Sequence, residues 1–348
     1  MRIAVDVMGG DHAPDAILDG ALASLDNLNE QDELILFGRN DLITDVLTSR
    51  GIDDPRVIVE HAPEVIGMDE SPVDAVRSKP NSSVVRMMQL AGRQGTENRA
   101  DIVISAGNTG ACVSAATMYM KRLPGVHRPG VAVIIPTYHG PIVVCDVGAN
   151  PEPRPSHLVQ YGLMAEVYAR KFLGMDNPRV AQINIGSEEA KGTMMIKEVR
   201  KILRNNPAAA DINYIGYVEG RDLVEGVADV FICDGFVGNV VLKLAEGLAK
   251  SVFRAIEREI RRSDPELGPR FASVVRSIYA NHDYHEFGGA PLLGVNGCCI
   301  IAHGSSEART ITNAILKSRD FISSGVNEAI VERLAAMKRS GVTADQPQ

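Results

Sequence analysis

Tryptophan is absent from the 348 residues, and the aromatic set as a whole makes up only 5% of them. Stacking platforms for bases are therefore disfavoured, and the net charge of -8 disfavours generic nucleic-acid binding as well. The five cysteines, Cys112, Cys145, Cys233, Cys298 and Cys299, form no Cys-x-x-Cys pair, have no histidine at metal spacing, and sit in or beside apolar runs. They read as small core residues in a reducing compartment, and neither a disulfide framework nor a metal site is expected. No stretch approaches the ~20 apolar residues of a membrane span. The opening run Met1 to Met8 is broken by Asp6 and reads as a strand rather than a signal peptide, so a cytoplasmic protein is expected.

Familiar catalytic signatures are missing too. There is no Gly-x-Ser-x-Gly elbow, no His-Glu-x-x-His, no Gly-x-x-x-x-Gly-Lys-Ser/Thr loop and no Gly-x-Gly-x-x-Gly after the first strand. A hydrolase triad, a zinc protease, a Walker-type nucleotidase and conventional dinucleotide binding all lack their parts.

What is present is an apolar fraction of 45% against 23% charged residues, enough for a large core. Short aliphatic runs recur at Ile3 to Val7, Glu33 to Phe37, Arg56 to Val59, Ile102 to Ser105, Val131 to Pro136, Ile142 to Asp146, Val180 to Ile185, Ile212 to Val218, Val230 to Cys233 and Gly297 to Ala302. Helical patterns lie between most of them, which predicts an α/β fold with a mostly parallel sheet and helices on both faces. The short link Tyr138-His139-Gly140-Pro141 predicts a hairpin, hence an antiparallel excursion. Residues 1–336 read as a single α/β domain carrying a helical hairpin at about 240–280, residues 337–348 as a polar tail, and no internal repeat is apparent.

Several of these strands run into glycine-rich turns, and in open α/β sheets ligands bind outside the carboxyl ends of strands. Gly107-Asn108-Thr109-Gly110, between a strand and a helix, suits a phosphate held on helix amides, and equally suits a helix cap made by Asn108 or Thr109. Gly9, Gly10, Asp11 and His12 follow the first strand and offer close backbone approach with an acid/base pair, or an ordinary capped turn. The run Asn184 to Gly192 places Gly186 and Lys191 at a predicted helix start, where an ammonium is disfavoured unless an anion joins it. The alternative is a solvated lysine balanced by Glu188. Asp234 and Gly235 form a third such turn, with Asn239 able to cap the next helix or, like Asn184, to donate its amide to an oxyanion or phosphate oxygen. His303, after the last strand, is a second acid candidate or a satisfied edge histidine.

The helix predicted from Asn239 to Arg262 has Lys243, Lys250, Arg254, Arg258 and Arg261 on one side, continued by Arg262, against Val241, Leu244, Leu248, Val252 and Ile256 on the other. The basic stripe suits an acidic protein partner or anionic lipid, or is simply a solvated face.

Taken in order, the stretches Asp6 to Pro14, Ser105 to Ala111, Asp146 to Asn150, Asn184 to Gly192, Asp234 to Asn239, Tyr284 to Gly294 and His303 to Ser306 resemble those of the phosphate acyltransferases of bacterial membrane lipid synthesis. The resemblance covers roughly residues 1 to 335. It implies a Rossmann-like α/β/α sandwich similar to phosphotransacetylases and isopropylmalate dehydrogenases, working as a homodimer without a cofactor. The implied activity is transfer of a fatty acyl group from acyl carrier protein to inorganic phosphate, the acyl phosphate passing to a glycerol 3-phosphate acyltransferase. The implied site comprises Asp11, His12, Asn108, Thr109, Asn184, Lys191, Asp234, Asn239 and His303, with Asn108 and Lys191 expected on one anion and His12 or His303 as proton donor. Protruding helices resting on the inner face of the cell membrane are part of the same resemblance, although the polar turn Ser263 to Pro269 does not favour deep insertion. An NAD-linked decarboxylating dehydrogenase of similar fold and a non-catalytic carrier-protein or lipid binder are the alternatives.

Overall fold

Alternation along the first strand decides the layering, because Ile3 and Val5 are buried in one apolar cluster and Ala4 between them in another. The two clusters are the two faces of one sheet in the computed structural model, which describes residues 1–348 apart from 94–95, 97, 206–211, 264–266, 269–270, 272–273, 275–287 and 340–348. The strands are β1 (Arg2–Asp6), β2 (Glu33–Gly38), β3 (Val57–His61), β4 (Ile102–Ser105), β5 (Gly130–Thr137), β6 (Gly140–Cys145), β7 (Val180–Ile183), β8 (Tyr214–Val218), β9 (Val230–Ile232), β10 (Ala290–Leu293) and β11 (Cys298–Ile301). One face carries α1 (Asp15–Ala23), α2 (Asn40–Ser49), α6 (Pro155–Leu173), α7 (Met194–Asn205), α9 (Ala308–Ser323) and α10 (Val326–Arg339). The other carries α3 (Pro72–Ser78), α4 (Ser83–Ala91), α5 (Thr109–Ala115) and the first turns of α8 (Gly235–Ser263). The expected α/β sandwich with its β5–β6 hairpin is what the chain forms.

The strand order is β3-β2-β1-β4-β11-β10-β5-β6-β9-β7-β8, and among these strands the antiparallel pairs are β11–β10, β10–β5 and β5–β6. Read inward from its two edges after β3, the sheet repeats itself: β2-β1-β4-β11-β10 against β8-β7-β9-β6-β5. The registers agree, since Ile3 pairs with Ile102 as Val180 pairs with Val230. Asp101 accepts the backbone N–H of Arg2 at 2.8 Å, and Asp229 accepts that of Arg179 at 2.7 Å. Ala100 to Gly110 and Ala228 to Gly238 share Ala, Asp, Ile, Gly and Gly at matching positions. The chain is thus internally two-fold, contrary to the repeat-free sequence reading. The offset is 177 residues for β1 and β7 but 128 for β4 and β9, so no fixed period betrays it.

Other elements differ from expectation. Ala290–Leu293 is a strand rather than a loop, α3 and α10 were not anticipated, and α10 runs to Arg339 with Met337 buried, so the tail begins later than 337. Most of the second arm of the predicted hairpin lies outside the described residues.

Candidate active site

The carboxyl ends of β1, β4 and β11 meet over a buried carboxylate. Asp6 accepts Ser105 Oγ at 2.7 Å and the Met8 N–H at 3.1 Å, and burial raises its pKa. Above it, backbone lies on backbone: a Cβ on Gly9 would stand 2.5 Å from Asp6 Oδ2 and 2.8 Å from the Gly107 nitrogen. Only glycine fits there. Gly10 likewise abuts Gly304, whose carbonyl accepts the Asp11 N–H at 2.7 Å. The loops bearing Asp11, Gly107 and His303 are thereby locked together. His12 is exposed at their rim.

Asn108 caps α5, its Oδ1 accepting the Ala111 N–H at 3.0 Å. Its Nδ2 donates to the carbonyls of Gly67, Met68 and Glu70 at 3.2–3.3 Å, which ties an overhanging loop to the turn. The side chain is therefore spent on structure. Gly110 makes room for Pro72 of α3, whose Cγ would lie 2.5 Å from an added Cβ. The backbone amides of Asn108, Thr109 and Gly110, by contrast, have no hydrogen-bond partner among the described residues. Three outward amides at a helix start are an anion cradle.

His303 follows β11, the ladder neighbour of β4, by two residues. Its Nδ1 is 3.1 Å from the Ser305 N and 2.8 Å from Ser305 Oγ, and its other ring nitrogen, Nε2, faces α8. That atom contacts Lys243 Nζ and lies 3.9 Å from the Glu246 carboxylate, which Lys243 also reaches at 3.2 Å. Glu246 is nearly buried, with a 9% exposed side chain; it pairs with the Lys243 ammonium and has His303 as a second partner when that ring is protonated. Neither Glu246 nor this use of Lys243 was read from the sequence, because 60 residues separate His303 from Lys243 and only the fold joins them.

The matching turns of the second half are built differently. Asn184 is buried and donates its Nδ2 to the Gly186 carbonyl at 3.0 Å, so its amide does not reach outward. Gly186 packs against the stem of Lys191, which lies in an irregular loop three residues before α7 rather than in a helical turn. Lys191 makes no ion pair among the described residues, with Glu188 or otherwise. Asp234, not Asn239, caps α8: its Oδ1 accepts the Val237 N–H at 2.8 Å, its carbonyl accepts the Gly238 N–H, and the Gly235 N–H goes to the Asn150 carbonyl. Asn239 is exposed in the second turn. Asp146 backs this turn as Asp6 backs the other, accepting four backbone N–H groups from Val131, Gly148, Ala149 and Asn150, and burial raises its pKa too. Asn184, Gly192, Ile196, Asp234 and Val237 share the lining of a cavity of about 460 Å³.

Asn108 and Lys191 stand in different half-sheets, after β4 and β7. Six ladder steps of ~4.8 Å separate β4 from β7, about 29 Å along the sheet. The bridge between them is α8, which starts in the second half and touches His303 in the first.

Burial raises the thiols of all five cysteines, that of Cys112 to about 12, so none is poised as a nucleophile. Among the described residues no group of three His, Cys, Asp or Glu could hold a metal ion, and no helix is long and apolar enough to cross a membrane. The stripe Leu244, Leu248, Val252 and Ile256 is exposed rather than packed on this chain's own core.

Comparison with known proteins agrees with the geometry. The phosphotransacetylase from Streptococcus pyogenes superposes with a TM-score of 0.60 at 17% identity, over 95% of this chain and 94% of that one. EutD phosphotransacetylase from Staphylococcus aureus gives 0.55 at 14%, over 94% of each. These establish the fold. Phosphate acyltransferases from Desulfitobacterium hafniense and Geotalea uraniireducens are 44% and 42% identical, over 96% of this chain and 98% and 94% of theirs. The family described as fatty acid synthesis protein matches residues 1–329, and the chain belongs to it as a phosphate acyltransferase.

Proposed function

We propose that the enzyme moves a fatty acyl group from the thioester of acyl carrier protein directly onto inorganic phosphate, bound at the start of α5. What supports this is the trio of amides at Asn108, Thr109 and Gly110 without a partner among the described residues, after β4, whose ladder neighbour β11 leads to the His303–Lys243–Glu246 cluster. A phosphate oxygen attacks the thioester carbon, the C–O bond forms, and the C–S electron pair leaves on sulfur. His303 Nε2 gives that sulfur its proton, and Lys243 neutralises the oxyanion of the tetrahedral intermediate. No acyl-enzyme is needed, in keeping with five buried thiols.

The donor protein, being acidic, docks on the outer face of α8, where Lys250, Arg254, Arg258 and Arg261 are exposed and make no ion pair among the described residues; Arg262 pairs with Glu259 at 3.0 Å. The exposed ridge Val240, Leu244, Leu248 and Val252, spaced at i+4, is the surface that interdigitates with its own copy in the commonest helix packing, which makes the working unit a homodimer. Leu244→Glu with Leu248→Glu then yields a monomer by light scattering; a wild type that is monomeric and co-floats with anionic vesicles assigns the ridge to a membrane instead.

The test of the activity is phosphate-dependent release of free thiol from acyl carrier protein, read with a thiol reagent together with acyl phosphate. No release, or release without phosphate, overturns the reading.

A further inference from the structure

The 460 Å³ cavity at the carboxyl ends of β7 and β9 takes no part in the chemistry above, yet its make-up is specific. Ile183, Ile185, Met195, Ile196 and Val237 supply its walls, and the one buried amide that borders it, Asn184, is turned onto its own backbone. A pocket of this size walled mainly by aliphatic side chains, with its other polar side chains Thr193 and Asp234 accepting the Ile196 and Val237 N–H groups, selects for apolar shape rather than for a polar headgroup.

The cavity is also in line with the reacting groups. Val237 on its wall and Lys243 beside His303 sit on the same helix six residues apart, about 9 Å at 1.5 Å per residue. Val240, half-exposed, lies between them on the way. From this placement we infer that the cavity is the subsite for the distal part of the acyl tail, which runs from the thioester at His303 along the first turns of α8 and ends between α7 and α8. The inference rests on the acyl-transfer reading for the position of the thioester. A short acyl group ends before the cavity, and a long one fills it.

Two measurements test this. Thiol release from carrier proteins charged with a series of acyl chains is expected to show kcat/KM rising about fourfold per methylene once the chain reaches the cavity, and levelling when it is full. Ile196→Trp, which blocks the cavity from α7, abolishes that rise, and Ile196→Ala extends it to longer chains. In parallel, a long-chain fatty acid carrying a fluorophore binds the wild type saturably and does not bind Ile196→Trp, with thermal melting used to confirm that both proteins are folded. Should phosphate-dependent release fail while fatty-acid binding and its loss in Ile196→Trp persist, the subsite stands and the phosphate reading falls. A chain-length profile unchanged in Ile196→Trp, or fatty-acid binding equal in the two proteins, overturns the subsite.

Discussion

At the end of β4, three helix amides stand open beneath an overhanging loop; at the end of β9, the matching turn spends its amides on Asp234 and on the Asn150 carbonyl. The two turns share Ala, Asp, Ile, Gly and Gly, sit in equivalent ladders, and are each backed by a buried aspartate. The difference lies in the capping residue. Asn108 satisfies a single amide with a neutral oxygen and turns its Nδ2 toward the overhanging loop, so the dipole of α5 remains available to an anion. Asp234 brings a carboxylate to the start of α8, which takes the place an anion would occupy. The internal repeat thus carries two turns, one with its helix amides open and one capped by a carboxylate that borders an apolar cavity.

The strongest test of this division is histidine exchange. His303→Ala is expected to lower kcat about 10²- to 10³-fold in the thiol-release assay, with the phosphate KM little changed, because a general acid acts in the transition state. His12→Ala, at the rim, and Lys191→Ala, in the closed half, should each stay within a few-fold. Equal losses in His303→Ala and Lys191→Ala would dissolve the asymmetry.

Next in size is the loss of one cradle amide. Asn108 has extended backbone with ψ of 111°, which a following proline accepts, and Thr109 is the first residue of α5, where proline is tolerated. Thr109→Pro therefore deletes an N–H without disturbing the helix. Hydrogen bonds to charged groups contribute about 1.5–3 kcal/mol, so the phosphate KM should rise roughly ten- to a hundredfold. Phe236→Ala in the equivalent closed turn should leave it unchanged.

Much of this architecture was legible from residue order. The β4 bounds were read as they stand, the hairpin and its antiparallel sense follow from Tyr138 to Pro141, and the turns at strand ends were all located. What escaped is long-range. Whether an Asn or Asp side chain faces a ligand or its own backbone depends on neighbours distant in sequence: Asn108 is turned by carbonyls some 40 residues earlier, and Lys243 is joined to His303 only by folding. The apolar stripe of α8 has the period of a core face, but it is exposed and no element among the described residues covers it, and periodicity alone does not tell a core from an interface. The weak repeat was hidden by unequal insertions between matching strands.

A smaller effect concerns α8, which belongs to the closed half by descent but serves the open one. Arg254→Glu with Arg258→Glu should raise the carrier-protein KM about five- to tenfold at low salt, fading as ionic strength rises, with the phosphate KM untouched. A matching shift in phosphate KM would mean that the stripe acts on the cradle rather than on the donor.

The smallest expected effect separates the two buried aspartates. Burial raises both folded-state pKa values above the ordinary 3.8, so in each case the contribution to stability is fully present below that value and is lost as pH rises through the folded pKa. An asparagine does not titrate, and the melting temperature of Asp6→Asn relative to the wild type should accordingly climb between pH 4 and pH 8. The absolute costs differ. Ser105 Oγ can turn from donating to Asp6 to accepting from Asn, whereas Asp146 receives four backbone N–H groups and an amide nitrogen placed there faces the Asn150 N–H. Asp146→Asn should be destabilised by about 1–3 kcal/mol for the unpaired donors, a few degrees in Tm, with Asp6→Asn near neutral at pH 7. Equal melting temperatures for the two variants would mean that the open and closed turns are braced alike, and that their difference lies in the capping residue alone.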